Sequence, residues 1–242
     1  MGRDFPQRTS RYIAYFDVMV FKDFVYRSDH DDVEKLMEPI ANIVDSIKNL
    51  ETETLNIDTE EIQHDIEVGV CMPVLFSDSV LFVARGGSEH DLKKILFVSS
   101  VFLMRMFVLG IPVKGAVGYG EFTADLSKSM FFGRPLVDAY LLAEEAHFYG
   151  AILHHDVEAR LLPEHFSDFR HVIKRAKVPM KSGLITHVFV DWRRNLRSPV
   201  RDVLDNLYKK ASGSVRKYVD NTCDLSDRVQ YEPSNKLELK GS

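Results

Sequence analysis

Two of the most hydrophobic segments of the chain are each interrupted by a carboxylate. The first, RYIAYFDVMVFKDFV, covers residues 11–25 and contains Asp17, and the second, PVLFSDSVLFVAR, covers residues 73–85 around Asp78. The β-branched and aromatic residues predict a strand over residues 11–21. The second segment predicts a hairpin, in which two apolar strands meet at a tight turn that contains Asp78.

The spacing of apolar residues elsewhere predicts helices over residues 31–49, 90–109, 134–150 and 199–222. The glycine-rich segment IPVKGAVGYGEF predicts a further strand, and AILHH and GLITHVFVDW predict two late strands. The acidic segment 51–67 predicts an exposed insertion. In this order the elements predict an α+β fold, with helices on one face of a mostly antiparallel sheet.

The composition narrows the classes of protein that the chain can belong to. Of 242 residues, 45% are hydrophobic and 28% are charged, which is typical of a soluble protein with a large core. The formal net charge of −5 argues against a nucleic-acid partner. The N-terminal sequence has no apolar core of the kind found in signal peptides. No apolar run is long enough to predict a membrane span. We therefore expect a cytoplasmic protein, and two cysteines predict no disulfide framework.

The two interrupting carboxylates are best explained as a pair. The hairpin after the first helix is expected to bring Asp78 close to Asp17, and two buried carboxylates in contact repel each other unless a cation lies between them. Mg²⁺ and Mn²⁺ prefer such oxygen ligands, and two ions can activate an attacking oxygen and stabilise a leaving one. For either Asp alone, a solvent-facing or turn position is the simpler explanation.

Four segments resemble the catalytic domain of class III nucleotide cyclases, in the same order as in that family. They are FDVMVF, FSDSVLF, VKGAVGYGEF and FFGRPLVDAYLLAEEAHFYGAILHHDV, and the match covers roughly residues 11–160. The resemblance implies a ferredoxin-like α+β fold. It further implies that residues 8–195 form the cyclase catalytic domain and that residues 196–242 add a C-terminal helix and a polar tail.

The resemblance also implies roles for particular residues. Asp17 and Asp78 would hold two Mn²⁺ or Mg²⁺ ions in each active site, with the backbone carbonyl of Val18 as a further ligand. The backbone amides from Met19 to Phe21 would bind the β- and γ-phosphates of a nucleoside triphosphate. The substrate-binding residues implied in this way are Phe16, Val18, Met19, Val20, Phe21, Val74 and Met130.

Several positions depart from the family pattern. Val20 and Ser77 replace family glycines, and Val74 and Met130 replace the polar residues with which purine cyclases recognise the base. The family's catalytic Asn and Arg correspond here to two apolar residues, Val137 and Leu141. Another cation must then stabilise the transition state, and the candidates are Arg85, Lys114 and Arg134.

With these departures, and as a domain without a linked sensor, the chain resembles the bacterial pyrimidine cyclases of the Pycsar antiphage system. That similarity implies a homodimer that converts UTP to cyclic UMP, which then acts on a separate effector. Phe131, Phe132 and the strand from Val113 to Tyr119 are the expected dimer contacts. Tyr119, Ser129 and Arg134 are candidate readers of the base.

Other functions remain open at this stage. The substrate could instead be CTP or a purine triphosphate. A palm-type polymerase or diguanylate cyclase relative would use similar metals on a similar sheet, although no Gly-Gly-Asp/Glu-Glu-Phe-like turn is present. A degenerate cyclase fold that only binds a partner would explain the apolar Val137 and Leu141, but not the retention of Asp17 and Asp78.

Overall fold

The computed structural model describes residues 5–19, 21–48, 71–162, 169, 172–193, 196, 199–211 and 213–231. Within these residues the strands are β1 (Arg8–Val18), β2 (Met72–Phe76), β3 (Ser79–Val83), β4 (Val113–Asp125), β5 (Met130–Gly133), β6 (Gly150–Leu153), β7 (Ile173–Met180) and β8 (Gly183–Val190). The helices are α1 (Phe21–Arg27), α2 (His30–Lys48), α3 (Glu89–Val108), α4 (Arg134–Glu145), α5 (His155–Glu158), α6 (Val200–Lys210) and α7 (Arg216–Tyr231).

The strands described form one sheet in the order β2-β3-β1-β4-β6-β8-β7, and β5 pairs with β4 outside this path. The pair β4–β6 is parallel, whereas the other pairs of neighbouring strands are antiparallel. The predicted α+β class with a mostly antiparallel sheet is therefore confirmed. The predicted hairpin is β2–β3, and its two-residue turn contains Asp78.

Helices cover both faces of the sheet. Along β1, Tyr12, Ala14 and Phe16 pack into the core beneath α2 and α3, whereas Ile13 and Tyr15 pack on the opposite face beneath α4. This alternation follows from the pleat of a strand. The expectation of helices on one face only is wrong, because α4 buries Ala139 and Ala143 against the second face.

Small residues let α4 lie close to the sheet. A Cβ atom on Gly118 of β4 would meet the carbonyl oxygen of Pro135 at 2.6 Å. A glycine is therefore required where the first turn of α4 crosses the strand. The alanines of α4 that face the sheet, Ala139 and Ala143, are also small, so the helix backbone approaches β4 and β1 closely.

Two predicted helices have different limits in the structure. The helix predicted over residues 134–150 ends at Glu145, because the backbone N–H of His147 donates to the carbonyl of Pro179 at 3.0 Å. Gly150, the expected helix cap, begins β6 instead. The helix predicted over residues 199–222 is divided into α6 and α7 by a short 3₁₀ turn.

The last helix of the described chain fixes the corner that follows α4. Asn221 donates to the carbonyl oxygen of His147 at 2.6 Å, and the N–H of Tyr149 donates to the hydroxyl of Thr222 at 2.9 Å. The ring of Tyr149 also stacks on Tyr218 of the same helix, with ring centroids 5.7 Å apart. Side chains of α6 and α7, including those of Val203 and Val219, belong to the main core.

Two further expectations concern the limits of the fold. The predicted insertion at residues 51–67 lies outside the described residues. None of the helices that the structure describes combines the length and the apolar character that a membrane span requires.

Candidate active site

The end of β1 places Asp17 on the face of the sheet that α4 covers. Phe16 and Val18, its neighbours, point into the opposite core, where the Phe16 ring contacts Phe82 and Phe102. Asp17 alternates with them and lies on the same face as Tyr15. Both side chains are buried in this core, so the predicted role of Phe16 and Val18 in substrate binding stays a prediction about their backbone atoms.

The β2–β3 turn brings Asp78 next to this strand end. The backbone N–H of Val18 donates to the carbonyl oxygen of Asp78 at 2.8 Å, and Asp17 lies opposite Ser79 in the sheet. Ser77, which precedes Asp78 in the turn, has a φ of 55°, in the left-handed region that favours glycine. The structure thus places the turn that contains Asp78 next to the strand end that carries Asp17.

Lys114 of β4 completes this cluster from the other side of β1. Its cross-strand partner is Asp17, and its Nζ atom lies 3.7 Å from Asp17 Oδ2. The same ammonium group makes a close ion pair with Glu144 in the last turn of α4. The side chain of Lys114 is only 5% exposed, compared with 22% for Asp17 and 39% for Glu144.

The electrostatics of the cluster leave negative charge uncompensated. Burial raises the pKa of Asp17, the charge of Lys114 lowers it, and the charges of Asp78 and Glu144 raise it further, with a net shift upwards. Asp17 and Glu144 both pair with Lys114, and Asp78 acts on Asp17 through its charge, so three formal negative charges accompany one positive charge, an excess of two. A divalent cation has the charge that this excess requires, and carboxylate oxygens are the ligands that Mg²⁺ and Mn²⁺ prefer. The residues present therefore fit such an ion.

Tyr15 adds a neutral hydroxyl to the same face. Burial raises the pKa of Tyr15 to about 12, partly offset by a hydrogen bond with Ser79, and the charges of Asp17 and Asp78 raise it as well. The hydroxyl lies 3.3 Å from the Ser79 Oγ atom. The Tyr15 ring meets Tyr140 of α4 edge-on, with centroids 5.7 Å apart. The tyrosine thus connects the strand of Asp17 to α4.

The predicted phosphate-binding amides extend from Met19 to Phe21. In the structure described, the N–H of Met19 donates to the carbonyl oxygen of Pro112 at 2.9 Å, and phosphate binding by these amides stays a prediction. Val20 lies outside the described residues. Phe21 is the first residue of α1, and its side chain packs partly against the core.

Of the remaining predicted residues, Arg134 lies apart from Glu144 and Asp17. Arg134 is at the start of α4, roughly 15 Å along the helix from Glu144 at a rise of about 1.5 Å per residue. Its side chain is 79% exposed and pairs with Asp138 at 3.1 Å. Val74 lies partly buried on β2, and Met130 is exposed at the start of β5. The structure joins Lys114, but not Arg134, to Asp17.

Arg134 instead lines a cavity of about 690 Å³ at the other end of β4, with Tyr119 and Phe132 among its walls. Tyr119 is covered there by the guanidinium group of Arg160, 3.5 Å from the ring centroid. Two of the predicted base readers, Tyr119 and Arg134, therefore share one cavity. Ser129 does not line it and has a φ of 52° in the connection between β4 and β5.

Glu144 is the member of the cluster that the sequence did not reveal. It lies one residue after the buried Ala143, on a helix whose apolar spacing gives no reason to single it out. The sequence offered one indication of such a partner. Lys114 is a charged residue among the buried positions of β4, and a buried lysine requires a carboxylate partner.

Comparisons with known proteins reveal no matching family model and no matching curated protein sequence. Among solved structures, the guanylate cyclase domain of a rhodopsin-guanylyl cyclase from Catenaria anguillulae, in complex with GTP, is 11% identical, with 76% of this chain and 98% of that chain covered and a TM-score of 0.45. An adenylate cyclase from Trypanosoma brucei is 12% identical, with 81% and 94% covered and a TM-score of 0.45.

A class III adenylyl cyclase-like ATP-binding protein from Pseudomonas aeruginosa is 12% identical and has a TM-score of 0.44. This match covers 91% of the present chain but 44% of that protein. The three similar structures are nucleotide cyclase domains or a cyclase-like protein. Similarity at this level does not assign the chain to a family.

Proposed function

We propose that the chain is a metal-dependent nucleotide cyclase that converts UTP to 3′,5′-cyclic UMP and pyrophosphate. The observation that carries the proposal is the position of Asp17 at the end of β1, next to the β2–β3 turn that contains Asp78. These are the two positions that the resemblance to class III cyclases assigns to metal binding. The buried Lys114 beside them adds a cation at the same place.

The chemistry that this site must perform is an intramolecular phosphoryl transfer. The ribose 3′-oxygen attacks the α-phosphorus, the bond from that phosphorus to the bridging oxygen breaks, and pyrophosphate leaves. Asp17, Asp78 and the Val18 carbonyl would hold two Mg²⁺ or Mn²⁺ ions. These ions would lower the pKa of the ribose 3′-hydroxyl and neutralise the charge of the leaving pyrophosphate. The protein's own contribution is to position the carboxylates on a rigid sheet, with Lys114 as a fixed positive charge.

The preference for a pyrimidine rests on the apolar residues at the base-reading positions. Val74 and Met130 offer no donor or acceptor with which to select adenine or guanine. Apolar bulk at these positions favours the smaller ring. Uracil and cytosine differ at one ring edge, so UTP is proposed as the preferred substrate and CTP is the alternative. A purine cyclase is the further alternative.

A homodimer is part of the same proposal, because class III sites lie between two subunits. Several large apolar side chains of β5 and α4 are exposed in the single chain: Met130, Phe132, Val137, Tyr140 and Leu141. We call this surface the α4 face. An exposed apolar surface of this kind favours contact with another protein, and we propose a second copy of the chain as the partner. The expected contact through the strand from Val113 to Tyr119 is wrong, because β4 is an inner strand and residues 113–118 are buried.

A partner-binding protein with a degenerate cyclase fold is the second candidate function. Val137 and Leu141 stand where the family has its catalytic Asn and Arg, and both are more than half exposed. A role of the product as a second messenger in antiphage defence, acting on a separate effector, rests on the resemblance to the Pycsar cyclases alone.

The test is a competition assay. Purified protein is incubated with equal concentrations of ATP, GTP, CTP and UTP and with Mn²⁺, and the cyclic products are separated by mass. Cyclic UMP is expected as the main product, and Asp17→Asn and Asp78→Asn are expected to abolish it. Cyclic AMP or cyclic GMP as the main product would overturn the pyrimidine preference and leave the cyclase proposal intact. The absence of any cyclic product with Mn²⁺ or Mg²⁺ would favour the partner-binding alternative.

A further inference from the structure

The ammonium group of Lys114 is shared unequally between two carboxylates. Its ion pair with Glu144 is close, whereas the Nζ atom remains 3.7 Å from Asp17 Oδ2. The lysine side chain is almost completely buried, so water does not solvate the charge. A buried ammonium group requires a carboxylate partner, and the geometry gives the closer contact to Glu144.

This arrangement matters for the metal that Asp17 is proposed to bind. A lysine in direct contact with a carboxylate competes with a divalent cation for the same oxygen atoms. Because Glu144 takes the closer contact, Lys114 stays 3.7 Å from Asp17 Oδ2 and competes less there with another cation. Lys114 and Glu144 come from β4 and α4, which pack directly against each other, so the pair is held in place by the fold.

We propose that Glu144 is a positioning residue, which holds Lys114 away from Asp17 and thereby sets the affinity of the Asp17–Asp78 pair for a divalent cation. The inference rests on the proposed function, since that cation is the metal of the cyclase site. Glu144 does not touch the metal or the substrate. It acts through Lys114.

Removal of Glu144 and removal of Lys114 are expected to have opposite effects on metal binding. Without the Glu144 carboxylate, Asp17 is the remaining partner that the structure provides for Lys114 within ion-pair distance among the described residues. The ammonium group then moves onto Asp17 and metal binding weakens. Without the Lys114 ammonium group, nothing competes with the metal at Asp17, and metal binding becomes tighter.

The experiment is a titration of the full-length chain with Mn²⁺ in the absence of nucleotide, followed by electron paramagnetic resonance of the free ion. Glu144→Gln is expected to raise the dissociation constant on the order of tenfold, and Lys114→Met is expected to lower it by a similar factor. Glu145→Gln is the matched control, because it removes the same charge from an exposed position one residue further along α4. Its dissociation constant should equal that of the wild type.

The double variant Lys114→Met/Glu144→Gln separates a positioning role from a general effect of charge. If Glu144 acts through Lys114, the double variant binds Mn²⁺ as tightly as Lys114→Met alone. If the carboxylate acts by its charge on the metal, the second substitution weakens binding again, and the proposal is overturned. Thermal unfolding without metal verifies that each variant is folded, and Lys114→Gln replaces Lys114→Met if the latter is not.

Failure of this inference differs from failure of the proposed function. Mn²⁺ binding that is lost in Asp17→Asn and Asp78→Asn, but unchanged in Glu144→Gln, overturns the role of Glu144 and leaves the cyclase proposal standing. Wild-type Mn²⁺ binding that does not depend on Asp17 or Asp78 overturns the metal site itself, and with it both proposals.

Discussion

The carboxylate of Asp17 lies in surroundings that disfavour its ionised form. Burial, opposed by Lys114 and reinforced by Asp78 and Glu144, raises its pKa above the ordinary value of 3.8. A raised pKa in the folded state contributes stability that is present below the unfolded-state pKa and is lost as the pH rises through the folded-state pKa. At neutral pH the ionised Asp17 therefore lowers the free energy of unfolding.

Asp17→Asn is expected to abolish cyclic nucleotide formation and, in the presence of a chelator, to raise the melting temperature at pH 7. The asparagine cannot ionise, so the folded state no longer bears the cost of the buried charge. The difference from the wild type should shrink as the pH falls towards 4, the ordinary pKa range of an aspartate, because the wild-type carboxyl group then becomes neutral too. A lower melting temperature at pH 7 would contradict this account.

Ser77 has a conformation that suits glycine. Its φ of 55° occurs at the first position of the two-residue turn that presents Asp78. Ser77→Gly is expected to raise the free energy of unfolding by about 0.5–1 kcal/mol, since the left-handed region costs an L-residue about 1–2 kcal/mol and glycine's extra chain entropy offsets part of this. Ser129→Gly, with a φ of 52°, should behave alike in denaturant titrations. Ser79→Gly, within β3, should instead destabilise the protein.

At this scale the sequence revealed some members of the cluster and not others. The sequence pairs Asp17 with Asp78 because each interrupts an apolar run, and a charged residue in such a run needs a local reason. Glu144 has no such contrast, because carboxylates are common on helices and only the tertiary structure places this one against Lys114. The hydrogen bond that occupies the Met19 amide likewise depends on Pro112, which is distant in sequence.

Among the elements, α4 has an unusual distribution of apolar residues. It buries alanines against the sheet and exposes larger side chains, with Val137 and Leu141 at 56% and 55% exposure. Residues four apart lie on the same side of a helix. The helix therefore presents one apolar surface to the sheet and another outwards, which is the α4 face proposed as the dimer contact.

Leu141→Glu is expected to convert the proposed dimer to a monomer, because the substitution places a charge in an apolar contact. Light scattering at the assay concentration should show the change in mass, and specific activity should fall at least tenfold, since the proposed site needs both subunits. Val108→Glu is the matched control, because Val108 is also an exposed apolar residue at 48% but lies at the end of α3. Full activity of a monomeric Leu141→Glu protein would contradict the dimer proposal.

Elements with strong apolar periodicity were predicted well, and elements defined by their partners were not. The predicted helices over residues 31–49 and 90–109 differ from α2 and α3 by one residue at each end. The strand β7 was not predicted, because three charged residues interrupt its apolar pattern at the edge of the sheet: Lys174, Arg175 and Lys177. The early end of α4 depends on the carbonyl of Pro179, which no local pattern indicates.

For the molecule as a whole, the order of elements was sufficient to predict an α+β fold with a mostly antiparallel sheet. It was not sufficient to show that α4 lies on the face opposite α3. That outcome depends on Gly118 and on the alanines of α4, whose small size permits close packing rather than creating an apolar pattern.

Removal of α7 tests how far the C-terminal region supports the rest of the protein. A chain that ends at residue 212 loses the buried Val219 and Leu225, which contribute at least about 1.5 kcal/mol each. We expect its free energy of unfolding to fall by about 3 kcal/mol or more in urea titrations. A chain that ends at residue 231, after α7, is the control with which the chain that ends at residue 212 is compared. Equal stability of both shortened chains would contradict this expectation.

The hydrogen bonds from α7 to the corner after α4 have a consequence for the order in which the protein is made. A ribosome produces residues 134–149 long before Asn221 and Thr222, which satisfy the backbone of His147 and Tyr149. The support beneath Glu144 and Lys114 is therefore incomplete on the growing polypeptide. The onset of any activity that depends on this cluster is in this way delayed until α7 has been synthesised and has folded onto this corner.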